Sequence, residues 1–461
     1  MIADREESIL DRQYSNSERN LAAALREFRL RAGLTQEELA DLSGLSVRTI
    51  GNLERARSAR PHRQSVDVLA RALGLSGPEH ETLRRAARSR TVPPAPPGET
   101  AAPYRSVIQL PFETVDLVGR DDTIARVIRE ADERRKASPT HATITAFTGM
   151  AGVGKTALAV HLGHQLNGQY PEGQIFLSLT ARGQRELTPA EGLRRLLRAL
   201  DVAPEDIPET LQERETLFRD RVSRRRIVII LDGAASEAQV TSLLPGACPC
   251  HVLITSRTRL AGLSKALHIE LKELDMRSSL ELLERTAGAA RVLEEPQAAL
   301  DLAALCHGLP LALRIVGARI AARPQRRLTD LVRRMSREGC LLDELEYRDM
   351  SVRAALLPSY ARLDFAARDL LHQLSLRDLP ASSLSQVASM SGRPLWQAEK
   401  AVEQLIDLRL LEEVRTGDGR QRYRLHGLVR AYAREQAGRV GLLDLSIPGA
   451  LPGSAPCVDR R

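Results

Sequence analysis

Residues 149–156 read Gly-Met-Ala-Gly-Val-Gly-Lys-Thr, a complete phosphate-binding loop of the form G-x-x-x-x-G-K-S/T. The apolar segment 144–147 precedes the loop and the helix-forming segment 157–160 follows it, which predicts a strand, a loop and a helix in that order. In this context, backbone N–H groups of the loop and of the helix N-terminus converge on phosphates. A chance glycine turn is the structural alternative. The motif predicts an α/β domain that binds a purine nucleotide through Gly149, Gly152, Val153, Gly154, Lys155 and Thr156.

Two further apolar segments end in residues that suit the same site. Segment 226–231 has the pattern of a buried parallel strand and is followed by Asp232, which can hold Mg²⁺ together with the Thr156 hydroxyl. Segment 252–254 is followed by Thr255-Ser256-Arg257, which places a guanidinium at the same sheet edge, near the γ-phosphate. A helix cap at Asp232 and a surface charge at Arg257 are the structural alternatives.

The segment 19–90 is rich in arginine, with 14 arginines against 8 acidic residues, so it carries most of the formal net charge of +8. Within it, Thr35 and Glu38 predict a capping box at the start of a helix. Gly44 then provides a turn, and Ser46 can cap a second helix. This spacing is typical of a helix-turn-helix.

The arginine-rich head resembles the Cro/repressor-type (XRE-like) DNA-binding family over roughly residues 19–76. The resemblance implies a first helix over 20–31, a closing helix over 65–73 and a recognition helix in the major groove of double-stranded DNA. Arg48 and Asn52 can read base edges, and the arginines that follow suit backbone phosphates. A helix-turn-helix that serves only protein contacts is the alternative. The expected DNA-contacting residues are Gln36, Ser46, Val47, Arg48, Thr49, Asn52 and Arg55.

The chain is predicted to be multidomain. An all-α helix-turn-helix head precedes an α/β P-loop NTPase domain with a parallel sheet, then a helical subdomain and a winged-helix subdomain. Helical periodicity over 353–407 and a strand–turn–strand wing over 410–425 indicate the winged helix. The predicted boundaries are 1–18 for a disordered N-terminus, 19–90 for the head, 91–112 for a Pro-rich linker, 113–270 for the P-loop domain, 271–352 for the helical subdomain, 353–435 for the winged helix and 436–461 for a tail.

Several stretches occur in the order typical of one family. They are Val118-Gly119-Arg120-Asp121, the phosphate loop, Leu231-Asp232, Thr255-Ser256-Arg257, Gly308-Leu309-Pro310-Leu311 and Leu425-His426-Gly427-Leu428-Val429-Arg430. Over about residues 113–435 the chain resembles the NB-ARC class of STAND signalling ATPases, and within it the bacterial transcriptional regulators of secondary-metabolism type.

The NB-ARC resemblance implies a role for individual residues around bound ATP or ADP. Val118, Gly119 and Arg120 would lie against the adenine and ribose. Pro310 would pack on the base, and Arg257 would sense the γ-phosphate. His426 would contact the β-phosphate of ADP and lock a closed state.

The chain departs from this family at three points. Gly427 replaces the acidic residue that usually follows His426, which would loosen the ADP-locked state. Gly233 stands where many ATPases carry a second acid, so we expect slow or absent hydrolysis and a nucleotide that acts as a switch. No 34-residue helical repeat is visible, so a sensor is missing, supplied by a separate protein or lost by truncation.

Composition narrows the function further. Without an apolar stretch of about 18 residues or a signal peptide, we expect a cytoplasmic protein that does not span a membrane. The favoured hypothesis is a nucleotide-switched, sequence-specific DNA-binding transcriptional regulator, of a biosynthetic or developmental pathway, that forms a nucleotide-dependent homo-oligomer. The alternative is a STAND-type defence or stress ATPase whose output is self-assembly. A metabolic kinase or ordinary hydrolase is disfavoured because no second substrate constellation accompanies the loop.

Overall fold

The computed structural model describes residues 21–54, 63–88, 107–112, 117–180, 185–417 and 419–439. The chain divides into two compact units, 1–102 and 103–461. The predicted N-terminal segment 1–18, most of the linker and most of the tail lie outside the described residues. Within the described ranges, no helix is both long and apolar enough to cross a membrane.

The described part of the N-terminal unit is helical, with α1 Leu21–Arg31, α2 Gln36–Ser43, α3 Val47–Glu54, α4 Arg63–Ala72 and α5 Gly77–Arg88. The predicted capping box is confirmed: Thr35 Oγ1 accepts from the Glu38 N–H at 3.1 Å, and the Glu38 carboxylate accepts from the Thr35 N–H at 2.7 Å. Gly44 ends α2 with a φ of 71°. Ser46 Oγ accepts from the Thr49 N–H at 3.1 Å and caps α3. The helix-turn-helix prediction is therefore confirmed, whereas α5 was not predicted.

A buried ion pair ties α1 to the end of α3. Arg29 Nε lies 2.6 Å from Glu54 Oε1, and the two side chains are only 10% and 4% exposed. The other carboxylate oxygen of Glu54 accepts from Gln36 Nε2 at 2.6 Å. Because Gln36 is the first residue of α2, this single carboxylate links three helices.

A parallel six-stranded sheet organises the second unit. Its strands are β1 Val107–Ile108, β2 Thr143–Thr148, β3 Gly173–Ser178, β4 Ile227–Ala234, β5 His251–Ser256 and β6 Leu267–Glu270, in the order β1-β3-β4-β5-β2-β6. Val228 and Ile230 of β4 pack into one apolar cluster, and Ile227 and Ile229 pack into another on the opposite face. Burial on both faces explains why the strands read as continuous apolar runs.

The strand order determines which strand ends meet. β5 lies between β2, which leads into the phosphate loop, and β4, which carries Asp232. Because the strands are parallel, their carboxyl ends share one edge of the sheet, where ligands of such sheets bind. The helices of this α/β region are α6 Asp121–Ala137, α7 Lys155–Gln165, α8 Pro189–Ala199, α9 Leu211–Val222 and α10 Glu237–Thr241. The predicted α/β P-loop domain is confirmed.

A helical segment follows the sheet and a winged helix follows that segment. The helical segment contains α11 Met276–Ala287, α12 Ala289–Glu294, α13 Pro296–Leu305, α14 Pro310–Ala321, α15 Leu328–Met335 and α16 Leu341–Glu344. A short hairpin, β7 Glu346–Tyr347 and β8 Met350–Ser351, leads to α17 Val352–Ala361, α18 Phe365–Ser375, α19 Leu384–Ser391, α20 Leu395–Asp407, the wing strands β9 Glu412–Arg415 and β10 Gln421–Arg424, and α21 Gly427–Arg439. The antiparallel pairing of β9 with β10 confirms the predicted wing.

One apolar core joins these parts of the second unit. The same cluster of buried side chains contains Phe147 of β2, Leu313 of α14, Leu370 of α18 and Val429 of α21. Apolar burial is the main source of folding free energy. The P-loop domain, the helical segment and the winged helix are therefore held as one packed body in this structure.

Candidate nucleotide site and helix-turn-helix surface

The phosphate loop lies between β2 and α7 and folds back on the Lys155 side chain. Lys155 Nζ donates to the carbonyl oxygens of Gly149 and Met150, at 2.8 Å each. Burial, together with the nearby positive charges of Arg257 and Arg409 and against the opposing effect of Asp232, lowers the pKa of Lys155 from 10.5 to about 7. A buried ammonium that is short of negative charge is suited to receive a phosphate.

A hydroxyl–carboxylate network connects the loop to the neighbouring strands. Asp232 Oδ1 accepts from Thr156 Oγ1 at 2.6 Å and from Thr255 Oγ1 at 2.7 Å. Among the described residues no group of three or more His, Cys, Asp or Glu side chains could hold a metal by itself. Mg²⁺ does not require such a group, since it commonly binds one or two carboxylates together with substrate phosphates. The Thr156 hydroxyl and the Asp232 carboxylate fit that pattern and would be the residues that hold Mg²⁺.

A cavity of about 590 Å³ opens at this sheet edge. Residues from the phosphate loop, the ends of β4 and β5, the start of α14 and the helix α17 line it. Its charged lining is strongly unequal, with five cationic side chains against two acidic ones: Arg120, Lys155, Arg257, Arg314 and Arg362, against Glu186 and Asp232. This volume is typical of small-ligand sites, and the excess of positive charge favours a polyanion.

Some, but not all, of the residues expected near the adenine and ribose line the cavity. Val118, Arg120 and Pro310 line it, whereas Gly119 does not and packs instead beside Ser278. Arg120 donates to the carbonyl of Val153 in the phosphate loop at 3.2 Å and to that of Lys272 at 2.7 Å. Arg120 therefore both lines the cavity and holds the phosphate loop through the Val153 carbonyl.

The helical segment also contacts the phosphate loop directly. The Leu311 N–H, one residue after Pro310, donates to the Gly152 carbonyl at 3.1 Å. The stretch Gly308–Leu311 thus brings Pro310 and the loop together at the start of α14. Gly149 of the loop does not line the cavity, because it lies against the Leu271 carbonyl beneath it.

Two arginines bridge the P-loop domain and the α17 segment. Each arginine belongs to one of these parts and donates to a backbone carbonyl of the opposite part. Arg257, just after β5, donates from Nη1 to the Ala355 carbonyl at 3.0 Å. Arg362, just after α17, donates to the Ala235 carbonyl at 3.3 and 3.4 Å. We name these two bridges the arginine clasp. Both arginines line the cavity, so a ligand there meets the clasp.

His426 is not brought to the cavity. It lines a separate space of about 690 Å³ between the helical segment and the winged helix. Its Nδ1 accepts from the Leu428 N–H at 3.2 Å, and its ring lies 5.4 Å from that of His307. Burial lowers the pKa of His426, which favours a neutral ring. His426 therefore lies apart from the cavity in this arrangement, and its contact with a β-phosphate stays a prediction.

The structure explains the glycine at 427. A Cβ placed on Gly427 would lie 2.0 Å from His307 Nε2 and 2.2 Å from its Cε1. The imidazole of His307 therefore occupies the space where the family's acidic side chain would begin. This relation joins two segments that are far apart in the sequence, so the sequence alone did not indicate it.

Three charged residues of the cavity are not indicated by the sequence motifs: Glu186, Arg314 and Arg362. Arg314 lies one helical turn after Pro310, which is a signal that could have been used once α14 was predicted. Arg362 follows a helix and Glu186 lies in a loop, and neither belongs to a motif. Their position depends on tertiary packing.

The helix-turn-helix surface is partly described. Ser46, Val47 and Thr49 are exposed at the N-terminal end of α3. Gln36 is half-buried and its amide is held by Glu54, so a phosphate contact from Gln36 would compete with that bond. The side chains of Arg48 and Asn52, and the whole of Arg55, lie outside the described residues.

The second helix-turn-helix, in the winged helix, contains an acidic groove. Gly392 ends α19 with a φ of 61°, and α20 follows. A groove between α20 and the wing is lined by four acidic side chains and no basic one: Glu399, Glu403, Asp407 and Glu413. Because DNA presents a dense row of phosphates, this groove is electrostatically unfavourable for DNA.

Family models match the three parts of the chain in the order that the structure shows. A helix-turn-helix domain matches residues 20–83, an AAA domain matches 136–242 and a winged helix-turn-helix domain matches 363–437. The regulatory protein AfsR of Streptomyces griseus is 34% identical over 449 residues, which cover 91% of this chain and 45% of AfsR. This P-loop protein resembles AfsR over 91% of its own length.

A second AfsR relative agrees. AfsR of Streptomyces coelicolor is 37% identical over 343 residues, which cover 74% of this chain and 34% of that protein. The AfsR-like chain thus spans less than half the length of these relatives. Among solved structures, a STAND protein with a tetratricopeptide repeat sensor from Pyrococcus horikoshii is 20% identical at a TM-score of 0.34, covering 75% of this chain and 48% of its own.

Proposed function

We propose that the chain is a sequence-specific DNA-binding transcriptional regulator whose activity is switched by ATP or ADP with Mg²⁺. The observation that supports this most is the cavity, because the phosphate loop, α14 and α17 all line it. A ligand that interacts differently with two arrangements of those segments shifts the population between them. The site therefore couples nucleotide occupancy to the packing of the helical and winged-helix segments.

The lining of the cavity offers polar and charged groups for the phosphates of a nucleotide and apolar groups for its base. Lys155, Thr156 and Asp232 would meet the phosphates and Mg²⁺. Val118 and Pro310 supply apolar surface for the base. The cationic excess of the lining offsets the charge of a triphosphate.

The clasp supplies the switching element. Arg257 is bonded to the Ala355 carbonyl, so a γ-phosphate would have to compete with that carbonyl for the same guanidinium. Charge-assisted bonds from arginine to phosphate are stronger than bonds to a neutral carbonyl. ATP would release α17, while ADP would leave the clasp closed. A contact from His426 to a β-phosphate would require an arrangement other than this one.

The output is assigned to the arginine-rich head. Its exposed α3 N-terminus carries the residues that would enter the major groove, whereas the groove between α20 and the wing is acidic. The two relatives described above are named regulatory proteins. ATP-dependent self-association would pair two heads on half-sites about one helical turn apart. A separate sensor protein would control that step.

Binding of the full chain to genomic DNA fragments, measured with Mg-ADP and with a non-hydrolysable ATP analogue, tests this proposal. We expect tighter binding and a larger complex with the analogue, at discrete promoter sites. A variant with Arg48→Ala and Asn52→Ala is the matched control, which should keep nucleotide binding and lose the sites. Equal affinity and stoichiometry with both nucleotides would refute the switch.

The defence-type alternative has its own support. A disease resistance-like protein of Arabidopsis thaliana is 29% identical over 195 residues, covering 39% of this chain and 15% of that protein. Nucleotide-dependent assembly without discrete DNA sites, measured by light scattering alongside genome-wide occupancy, would favour this alternative.

A further inference from the structure

Many ATPases have an acidic residue at the position of Gly233, and a glycine there supplies no carboxylate. It lies at a register irregularity between β4 and β5, with a φ of 77°, a conformation that side-chain-bearing residues rarely adopt. Its N–H donates to Thr255 Oγ1 at 2.8 Å, which fixes the backbone there. A carboxylate that orients water must therefore come from a different part of the chain.

The strand beside Gly233 brings such a carboxylate to the same edge. Ser178 of β3 pairs with Asp232, and the next N–H, that of Leu179, donates to the Asp232 carbonyl at 2.8 Å. Thr180 follows, and its Oγ1 lies 3.3 Å from the position that a Cβ on Gly233 would take. Glu186 pairs with Thr180 across an antiparallel bridge. Glu186 is thus the bridge partner of the residue that lies next to Gly233.

The Glu186 carboxylate is free to accept a proton, whereas the carboxylate of Asp232, the other acid of the cavity, is already hydrogen-bonded. Glu186 is exposed and lines the cavity, and no described residue forms a hydrogen bond or an ion pair with its side chain. Asp232 already accepts from two hydroxyls. The nearest arginine in sequence, Arg185, is paired with Glu191 at 2.7 Å and so does not neutralise Glu186.

We propose that Glu186 is the general base for hydrolysis of a bound nucleoside triphosphate, in place of the acid that Gly233 lacks. This inference rests on the proposed nucleotide binding. The oxygen of a water molecule forms a bond to the γ-phosphorus while the bond from that phosphorus to the β-phosphate oxygen breaks, and the electron pair stays on ADP. Glu186 accepts the proton of the attacking water and then releases it to solvent. The products are ADP, inorganic phosphate and a proton.

The test compares the full-length wild type with Glu186→Gln, which keeps the size of the side chain and removes its basicity. Glu205→Gln, an exposed substitution in the turn after α8, is the matched control. Mg-ATP affinity is measured by calorimetry and phosphate release under single-turnover conditions. We expect Glu186→Gln to lower the release rate by about 100-fold or more, the usual contribution of a general base, without weakening Mg-ATP binding. Glu205→Gln should match the wild type.

A second readout does not depend on added substrate. Nucleotide extracted from the purified chains should be mainly ADP for the wild type and mainly ATP for Glu186→Gln. Equal phosphate release by wild type and Glu186→Gln, or no release by the wild type, would overturn the role of Glu186 while leaving nucleotide binding intact. Absence of measurable Mg-ATP binding by the wild type would instead refute the nucleotide site itself.

Discussion

Nucleotide binding should be accompanied by proton uptake at Lys155. The pKa of this residue is lowered to about 7 because the ammonium is buried and faces Arg257 and Arg409. At pH 8 only about one empty site in ten would then carry the charge, and phosphates restore it on binding. We therefore expect uptake of about 0.9 proton per nucleotide at pH 8, and an affinity that falls up to about tenfold per pH unit above 7.

The lowered pKa of Lys155 also determines how the stability of the empty chain changes with pH. A lysine whose pKa is lowered in the folded state destabilises that state wherever the unfolded chain holds the proton. For Lys155 the cost is largest below about pH 7, at about 5 kcal/mol, and it is relieved as the pH rises toward 10.5. The empty chain should therefore gain thermal stability between these values, while its affinity for nucleotide declines.

Calorimetry of ADP binding at pH 8, in buffers that differ in ionisation enthalpy, measures the uptake directly. The apparent binding enthalpy should change linearly with the buffer's ionisation enthalpy, with a slope near the number of protons taken up. Lys265→Met, at an exposed lysine outside the cavity, should give the same slope as the wild type. An enthalpy that does not depend on the buffer would refute the reasoning.

Three further outcomes are expected. Asp232→Asn should remove the Mg²⁺-dependent part of ATP affinity, seen as equal dissociation constants with and without Mg²⁺. Glu54→Ala should destabilise the head by about 3–5 kcal/mol in chemical unfolding, since it leaves Arg29 buried without its partner. Gly427→Ala should lower the free energy of unfolding by about 1 kcal/mol, at the low end for overpacking because the exposed His307 ring can turn away. His307→Ala in that background should restore it, and additive effects would contradict the proposed clash.

Local sequence signals predicted much of this structure. The capping box at Thr35, the phosphate loop and the strand before Asp232 depend on residues within a few positions of one another, so the sequence contains what is needed. The hydroxyl of Thr255 was placed at the correct sheet edge for the same reason. Such features follow from hydrogen-bonding chemistry and strand periodicity.

Features that depend on packing between distant segments were not predictable. Nothing near Glu186 or Arg362 indicates that either residue reaches the cavity, because a loop and a helix end bring them there. The resemblance implied a phosphate contact for His426, yet the packing of α21 against the helical segment turns it into another space. The ring of His307 against Gly427 joins positions that are 120 residues apart.

The arginine clasp has a consequence for how this protein can vary over evolution. Both acceptors in the clasp are main-chain oxygens, those of Ala355 and Ala235, and every residue type carries such an oxygen. Substitution at either alanine therefore leaves an acceptor in place, whereas a single substitution at Arg257 or Arg362 removes the donor of its bridge. Variants that have lost nucleotide control should therefore accumulate at Arg257 and Arg362, and only a return to arginine should restore the bridge.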